Sequence, residues 1–427
     1  MKRGVSVILM TLLALSVLGT VLAAKNPVLW KGSVCSNVKY QKSIEAVAIS
    51  NGRVYVGCSY REVANASGMI EIYYQGRLAA YSSNGTRLWQ NDSGYVVKLY
   101  PLRDGKILVG SFGGFITFGR NGRFLSRNLT INKLYDFQVV GGKVYAVDGG
   151  VFIQNNSIHY IGHLYAGRIV NDSVILGRPI TNFTSMTSRV RVGKGIIYVG
   201  AGFPSGYVGP SQFGYIYGVL PNGTIKWSIN TGSWVRDMEL LNGDLIAGTG
   251  YGKSNGWLYR VSPSGKILWK KVLFYTEDID VAEGKIFVGG MGDEGGVLAA
   301  VDPQTGKVLW EKDFPYRVKV VRYADGKLLV GVGKFQSVNQ NGSSIVYSVG
   351  SLYAVSPSDG KVLGELPNIG YVRSIAVEGN TAVVGTASSN FYVVDVKALA
   401  GESGEKGICG PAFVVVLALL PLLWKRR

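Results

Sequence analysis

The sequence predicts an all-β chain folded as a propeller of four-stranded antiparallel blades. One motif is written five times, as "GRLAAYSSNGTRLW", "GYIYGVLPNGTIKW", "GWLYRVSPSGKILW", "GVLAAVDPQTGKVLW" and "GSLYAVSPSDGKVLG", and Trp227, Trp269 and Trp310 stand 42 and 41 residues apart. A shorter piece precedes each copy, as in "DGKILVG", "NGDLIAG" and "EGKIFVG", and reads as a two-residue turn feeding a strand. The 59 Gly and 25 Tyr among 427 residues, with polar turns between short apolar runs, favour strands over helices. Four short strands in a period of about 40 residues are the sequence form of a propeller blade.

Residues 1–24 place Lys2 and Arg3 ahead of an apolar run that closes on Ala23 and Ala24, the pattern of an export signal peptide with small residues at its cleavage site. The run is also long enough to remain as a membrane anchor, and both readings export the body. The propeller is expected over 25–400. "PVLWKG" is a tryptophan-bearing strand without a blade of its own, and the final blade has three strands after residue 371, so Val28 to Lys31 is expected to close the ring as the missing outer strand. Inner strands are expected near Glu45, Lys98, Tyr135, Arg189, Arg236, Glu277, Lys319 and Arg373, giving eight blades. Blades two and three are degenerate, with "RNGRFLSR" and "QNNSIHYI" lacking the tryptophan, and residues 163–187 exceed the repeat as an extra hairpin, so seven blades is the alternative.

A linker at 401–408 leads to a terminal segment, 409–427: Cys409-Gly410-Pro411, an apolar stretch to Trp424, then Lys425, Arg426 and Arg427. As a helix, the 14 residues from Pro411 to Trp424 would span about 21 Å, short of the roughly 30 Å hydrocarbon core. The arrangement closely resembles the CGP-CTERM sorting signal of archaeal cell-surface proteins. That resemblance implies removal of the tail and a lipid anchor at Cys409, holding the protein on the extracellular face of the cell membrane. Cys35 and Cys58 remain as a disulfide pair or as two small buried thiols. Nine Asn-X-Ser/Thr sites agree with an exported glycoprotein, although Asn84 and Asn222 also suit a turn.

Residues 28–397 resemble the quinoprotein-like (PQQ-binding-like) propeller repeats. The A-x-D-x-x-T-G-K-x-x-W pattern is complete once, in Ala300, Asp302, Thr305, Gly306, Lys307 and Trp310. In that family the repeated tryptophan docks one blade on the next, which implies a structural role for Trp30, Trp89, Trp227, Trp269 and Trp310. The family's quinone-dependent enzymes carry vicinal cysteines, a general-base Asp and Glu, Asn and Asp ligands for calcium. This chain has no vicinal cysteines and no recognisable catalytic constellation, so no cofactor is expected; PQQ with calcium is the alternative. His159 and His163 are the only histidines and read as packing residues rather than a zinc site. Asp293 and Glu294 in "GGMGDEGG" are a weak calcium candidate, two carboxylates being fewer than that ion needs.

The formal charge is +18, but no basic run in the body exceeds two residues, which argues against a nucleic-acid groove. Strand direction divides the loops between two faces. One carries tight turns; the other carries the insertions at 59–76, 201–214, 250–256, 290–296 and 332–350. At the starts of inner strands on that second face stand Tyr95, Lys98, Tyr135, Trp234, Arg236, Tyr275, Glu277, Tyr316, Lys319, Tyr371 and Arg373, expected to ring the channel mouth. Such a ring suits an anionic or sugar ligand; its competing reading is blade packing with satisfied ion pairs. The expected function is a monomeric, non-catalytic surface scaffold for protein or glycan, with a PQQ-dependent or sugar oxidoreductase and a purely structural envelope component as alternatives.

Overall fold

The computed structural model describes residues 26–66, 69–203, 213–340 and 343–402, so the segments at 1–24 and 409–427, and most of the insertion at 201–214, lie outside the described residues. Strands run antiparallel in seven sheets. One sheet is seven-stranded because the long strand Ile267–Ala282 is the outer strand of one group and the inner strand of the next. Dividing there gives eight groups in chain order, seven of four strands and one of five. Their inner strands are Lys42–Ser50, Val96–Pro101, Lys133–Val140, Thr187–Gly193, Trp234–Leu241, the second half of Ile267–Ala282, Val318–Ala324 and Val372–Glu378. Each inner strand contacts the next, and the last contacts the first. The fold is a β-propeller.

Val28–Ser33 closes the ring, pairing antiparallel with Asn390–Asp395 as the outermost strand of the final group. The tight turns follow from sequence. Asn51-Gly52, Asn242-Gly243 and Asp325-Gly326 take positive φ at both positions, the geometry whose twist matches antiparallel strands. The apolar core is distributed among the joints. Val56 and Phe391 share one cluster between the last group and the first, for example, and Phe287 and Val330 another.

All five repeat tryptophans behave alike. The indole N–H of Trp30, Trp89, Trp227, Trp269 and Trp310 donates to the carbonyl of Ser83, Arg120, Pro263, Pro303 and Pro357, at 2.9, 3.0, 3.1, 2.8 and 3.2 Å, in the next group's turn. The turn glycine lies under the ring: Gly265 has φ +88°, and a Cβ there would stand 2.5 Å from Trp227 Cγ. Asp302 holds such a turn by accepting the amides of Gln304 and Thr305 at 3.1 and 2.8 Å. Two joints that lack the tryptophan are filled differently. Thr181 Oγ1 donates to Gly223 O at 2.7 Å while Phe183 packs on Tyr217. At the last joint the helix Val396–Leu399 sits against Gly364, with Asp395 capping it through Ala398 N at 2.9 Å. Replacing the half-buried Trp310 with alanine should therefore cost about 3 kcal/mol in urea unfolding; a loss below about 1 kcal/mol would contradict docking.

The extra hairpin expected at 163–187 is not formed. Ser173–Leu176 and Thr181–Phe183 both pair with the long strand Ser157–Val170, making a five-stranded sheet. The insertions at 59–76 and 332–350 are likewise strand, not loop. Arg53–Ala66 pairs with Met69–Tyr81, and Lys327–Gln340 with Ser343–Val355, as tall hairpins on the face opposite the tight turns. Another tall hairpin, Lys143–Gln154 with Ser157–Val170, rises from the same face and makes three, the second of them in chain order.

Candidate binding site at the channel mouth

Every inner strand breaks its register once, at the same level, skipping Glu45, Val97, Tyr135, Ser188, Arg236, Glu277, Lys319 or Arg373. A bulge sets two residues of one strand against one of its partner and bends it. Neighbouring pairs such as Tyr135 with Asp136 and Glu277 with Asp278 consequently line a single axial cavity of about 390 Å³.

Ion pairs cross from group to group around this shaft. Asp136 accepts from Lys98 at 2.8 Å and Arg191 at 2.9 Å; Glu277 accepts from Arg236, Arg317 and Lys319 at 2.7, 2.8 and 2.6 Å; Arg373 reaches Glu45 at 3.0 Å. Carboxylates also satisfy exposed edge amides of the neighbouring inner strand: Asp237 takes Ile279 N at 2.9 Å and Asp278 takes Val321 N at 2.8 Å. Burial alone would raise the carboxyl pKa values. For Glu277 the cations Arg236, Lys319 and Arg317 outweigh it and hold the group well below the usual range, as Lys98, Arg191 and Arg189 do for Asp136. Burial prevails at Asp278, pushed up to about 7 with Asp237 beside it and Arg322 opposing.

Above the shaft lies an aromatic rim. Tyr95 stacks on Phe112 at 4.2 Å, Tyr74 meets Phe112 edge-on at 5.1 Å, and Lys133 Nζ stands 4.0 Å from the Tyr74 ring centre. Burial and the charge of Glu45 push the Tyr95 phenol up to about 12, so it stays neutral. Across the mouth, the Arg236 guanidinium lies 3.9 Å from the Trp234 ring centre and 5.4 Å from that of Tyr275, Lys334 covers Tyr316 at 4.9 Å and Arg373 covers Tyr371 at 5.2 Å.

The structure thus brings Lys98, Tyr135, Glu277, Lys319 and Arg373 into the shaft lining and sets Tyr95, Trp234, Arg236, Tyr275, Tyr316 and Tyr371 in the rim. Tyr275 and Tyr371 are buried, so they support the rim rather than face solvent, and Glu277 is buried in the shaft wall. Tyr74, Phe112, Lys133 and Phe335 join it without having been singled out in the sequence. The doublets "YD", "RD" and "ED", which break strand alternation, mark the bulges of the shaft, but no pattern in the sequence marks these four.

The remaining chemistry-bearing residues lie elsewhere. Cys35 and Cys58 are joined, with Cα atoms 6.3 Å apart. His163 is buried, its Nδ1 2.6 Å from Asp148, which also accepts from Tyr165 at 2.8 Å; His159 stacks on Phe152. Asp293 accepts from Ser254 Oγ, and among the described residues no three His, Cys, Asp or Glu side chains gather as a metal set. The shaft carboxylates do not fit a calcium and quinone pair, since Asp136 and Glu277 each already hold two or three cations.

The family described as "Outer membrane protein assembly factor BamB" matches residues 254–398. The structure is similar to that of BamB from Moraxella catarrhalis, with a TM-score of 0.54 at 12% identity over 86% of this chain and 96% of that one. The chain is a β-propeller, and the PQQ-like repeat family matches it over residues 254–398. Sqt1 of Saccharomyces cerevisiae has the same fold, with a TM-score of 0.61 at 10% identity over 87% and 99% of the two chains. The computationally designed Ika8 protein gives 0.60 at 12% identity over 83% and 97%. No curated protein sequence matches this propeller.

Proposed function

We propose that this propeller is a non-catalytic binding or assembly scaffold for a protein partner, exported and held on the extracellular face of the cell membrane through Cys409. The observation that carries the reading is the set of tall hairpins, which expose apolar side chains to solvent: Val63 53% and Ile72 51% on the first, Ile153 73% on the second, Val346 55% on the third. Such surface is costly in water and marks a contact site. The partial match to a family named for assembly supports it. Export and anchoring rest on the signal-like residues 1–24 and the Cys409-Gly410-Pro411 tail, and both chain ends leave from the tight-turn face: Asp395 N binds Pro27 O at 2.8 Å, and Glu402 pairs with Lys327 at 2.8 Å beside a tight turn. The hairpins then point away from the membrane.

A photo-crosslinking residue at Ile345, on the third hairpin, should capture a discrete partner in intact cells, whereas one at Leu309, on the outer wall, should not. Equal capture at both positions, or none at either, would defeat the scaffold reading. The oxidoreductase alternative predicts cofactor absorbance and dye reduction with alcohols or sugars after reconstitution with PQQ and calcium.

A further inference from the structure

Between the first and third tall hairpins a cleft of about 240 Å³ opens at the channel mouth, with Tyr60 and Arg61 on one side, Phe335 on the other and Glu45 and Arg373 below. Its donors outnumber its acceptors. Arg373 spends one terminal nitrogen on both oxygens of Glu45, at 3.3 and 3.0 Å, and its Nε is buried with no acceptor. Farther round the rim, Trp234 Nε1 and Arg236 Nε are also buried without one. Indole and guanidinium N–H groups can only donate, so a water or a bound partner has to bring the acceptor. Arg61, exposed, adds a positive charge at the cleft's edge. Glu45 is the single carboxylate lining the cleft and is committed to Arg373.

Beyond the cleft lining, the two flanking hairpins carry exposed apolar pairs. Val63 pairs directly with Ile72 on the first hairpin, and Val338 with Ile345 on the third, and all four side chains are exposed. Resting on the scaffold reading, we propose that this cleft takes an extended protein segment in which aspartate or glutamate alternates with apolar residues. Its carboxylate would be held by Arg373 and Arg61 and its apolar side chains by the two hairpins. Charge complementarity selects the acid, and the exposed apolar pairs of the flanking hairpins select a peptide over a glycan, whose hydroxyls would gain nothing from Val63 or Ile345.

The test uses a short fluorescent peptide of alternating leucine and aspartate, its leucine–asparagine analogue, and polygalacturonate as competitor. Anisotropy should show the asparagine peptide binding about ten-fold more weakly or worse. Arg61→Glu and Phe335→Ser, both on exposed positions, should each weaken the aspartate peptide about ten-fold with unchanged melting temperatures, while Leu309→Ser leaves binding intact. Arg373→Met with Glu45→Gln, which removes the ion pair as a unit, should weaken it as well. Equal binding of the two peptides, wild-type binding by Arg61→Glu and Phe335→Ser, or displacement by polygalacturonate as readily as by peptide would each overturn the proposal. If Ile345 still crosslinks a partner in cells while the peptides fail, the scaffold stands and this cleft is not its site; if Ile345 captures nothing, the scaffold falls first.

Discussion

Glu277→Ala should lower stability by about 3–5 kcal/mol, because it strands Arg236, Arg317 and Lys319 around a vacated, buried position. For a chain of this size that is a fall in melting temperature on the order of 5 °C. The Glu277 side chain is 1% exposed, so the three cations would lose their counter-charge in a largely desolvated position. A double variant, Glu277→Gln with Lys319→Met, should recover part of the loss, since it removes charge on both sides. The same group sets a pH response. Glu277 and Asp136 are held below the usual carboxylate range when folded, so their stabilisation is present above the unfolded pKa of about 4 and is lost as pH falls through and below that value. Glu277→Gln should accordingly flatten the acid limb of the stability curve. Calorimetry from pH 7 to pH 3 checks both points, and an alanine variant within about 1 kcal/mol of wild type would show that the cations repack without cost.

Removing residues 26–33 should have a larger effect still. Asn390–Asp395 would become a bare edge, and Trp30 would no longer pack on Phe391 at 5.5 Å or bind Ser83 in the first group. The loss of one indole dock alone is worth about 3 kcal/mol, and an unpaired strand invites pairing with another chain. The truncated protein should lose cooperative unfolding and form dimers or larger species in size-exclusion chromatography. A synthetic peptide spanning the deleted residues should restore the monomer by strand addition. A truncated protein that stays monomeric and melts with the full-length chain would mean that the ring does not depend on its closing strand.

The repeat was legible because it is written in residues with few structural substitutes. Glycine at positive φ and tryptophan over the next turn leave a fixed spacing, and that spacing gave the strand order, the closing strand and the division of faces. The tall hairpins were not legible as strands. The described side chains of residues 59–76 and 332–350 are mostly exposed, so no apolar alternation records the pairing. Thr181 and the helix Val396–Leu399 were hidden for another reason. They fill joints in place of tryptophan through one hydroxyl or one carbonyl contact, too local to leave a pattern. The mouth residues were found by position, at the starts of inner strands. Their division between shaft and rim was not, because it depends on a one-residue bulge at each start.

The side-by-side pairing of the two chain ends also has a mechanical meaning. A pull on the C-terminal end meets the Lys327–Glu402 pair and the helix Val396–Leu399 first, then runs along Asn390–Asp395 parallel to its own axis. That strand lies between Val28–Ser33 on one side and Thr381–Thr386 on the other. Tension therefore acts as shear on two hydrogen-bond ladders at once rather than peeling one bond at a time, and the ring is best braced where a tether would load it.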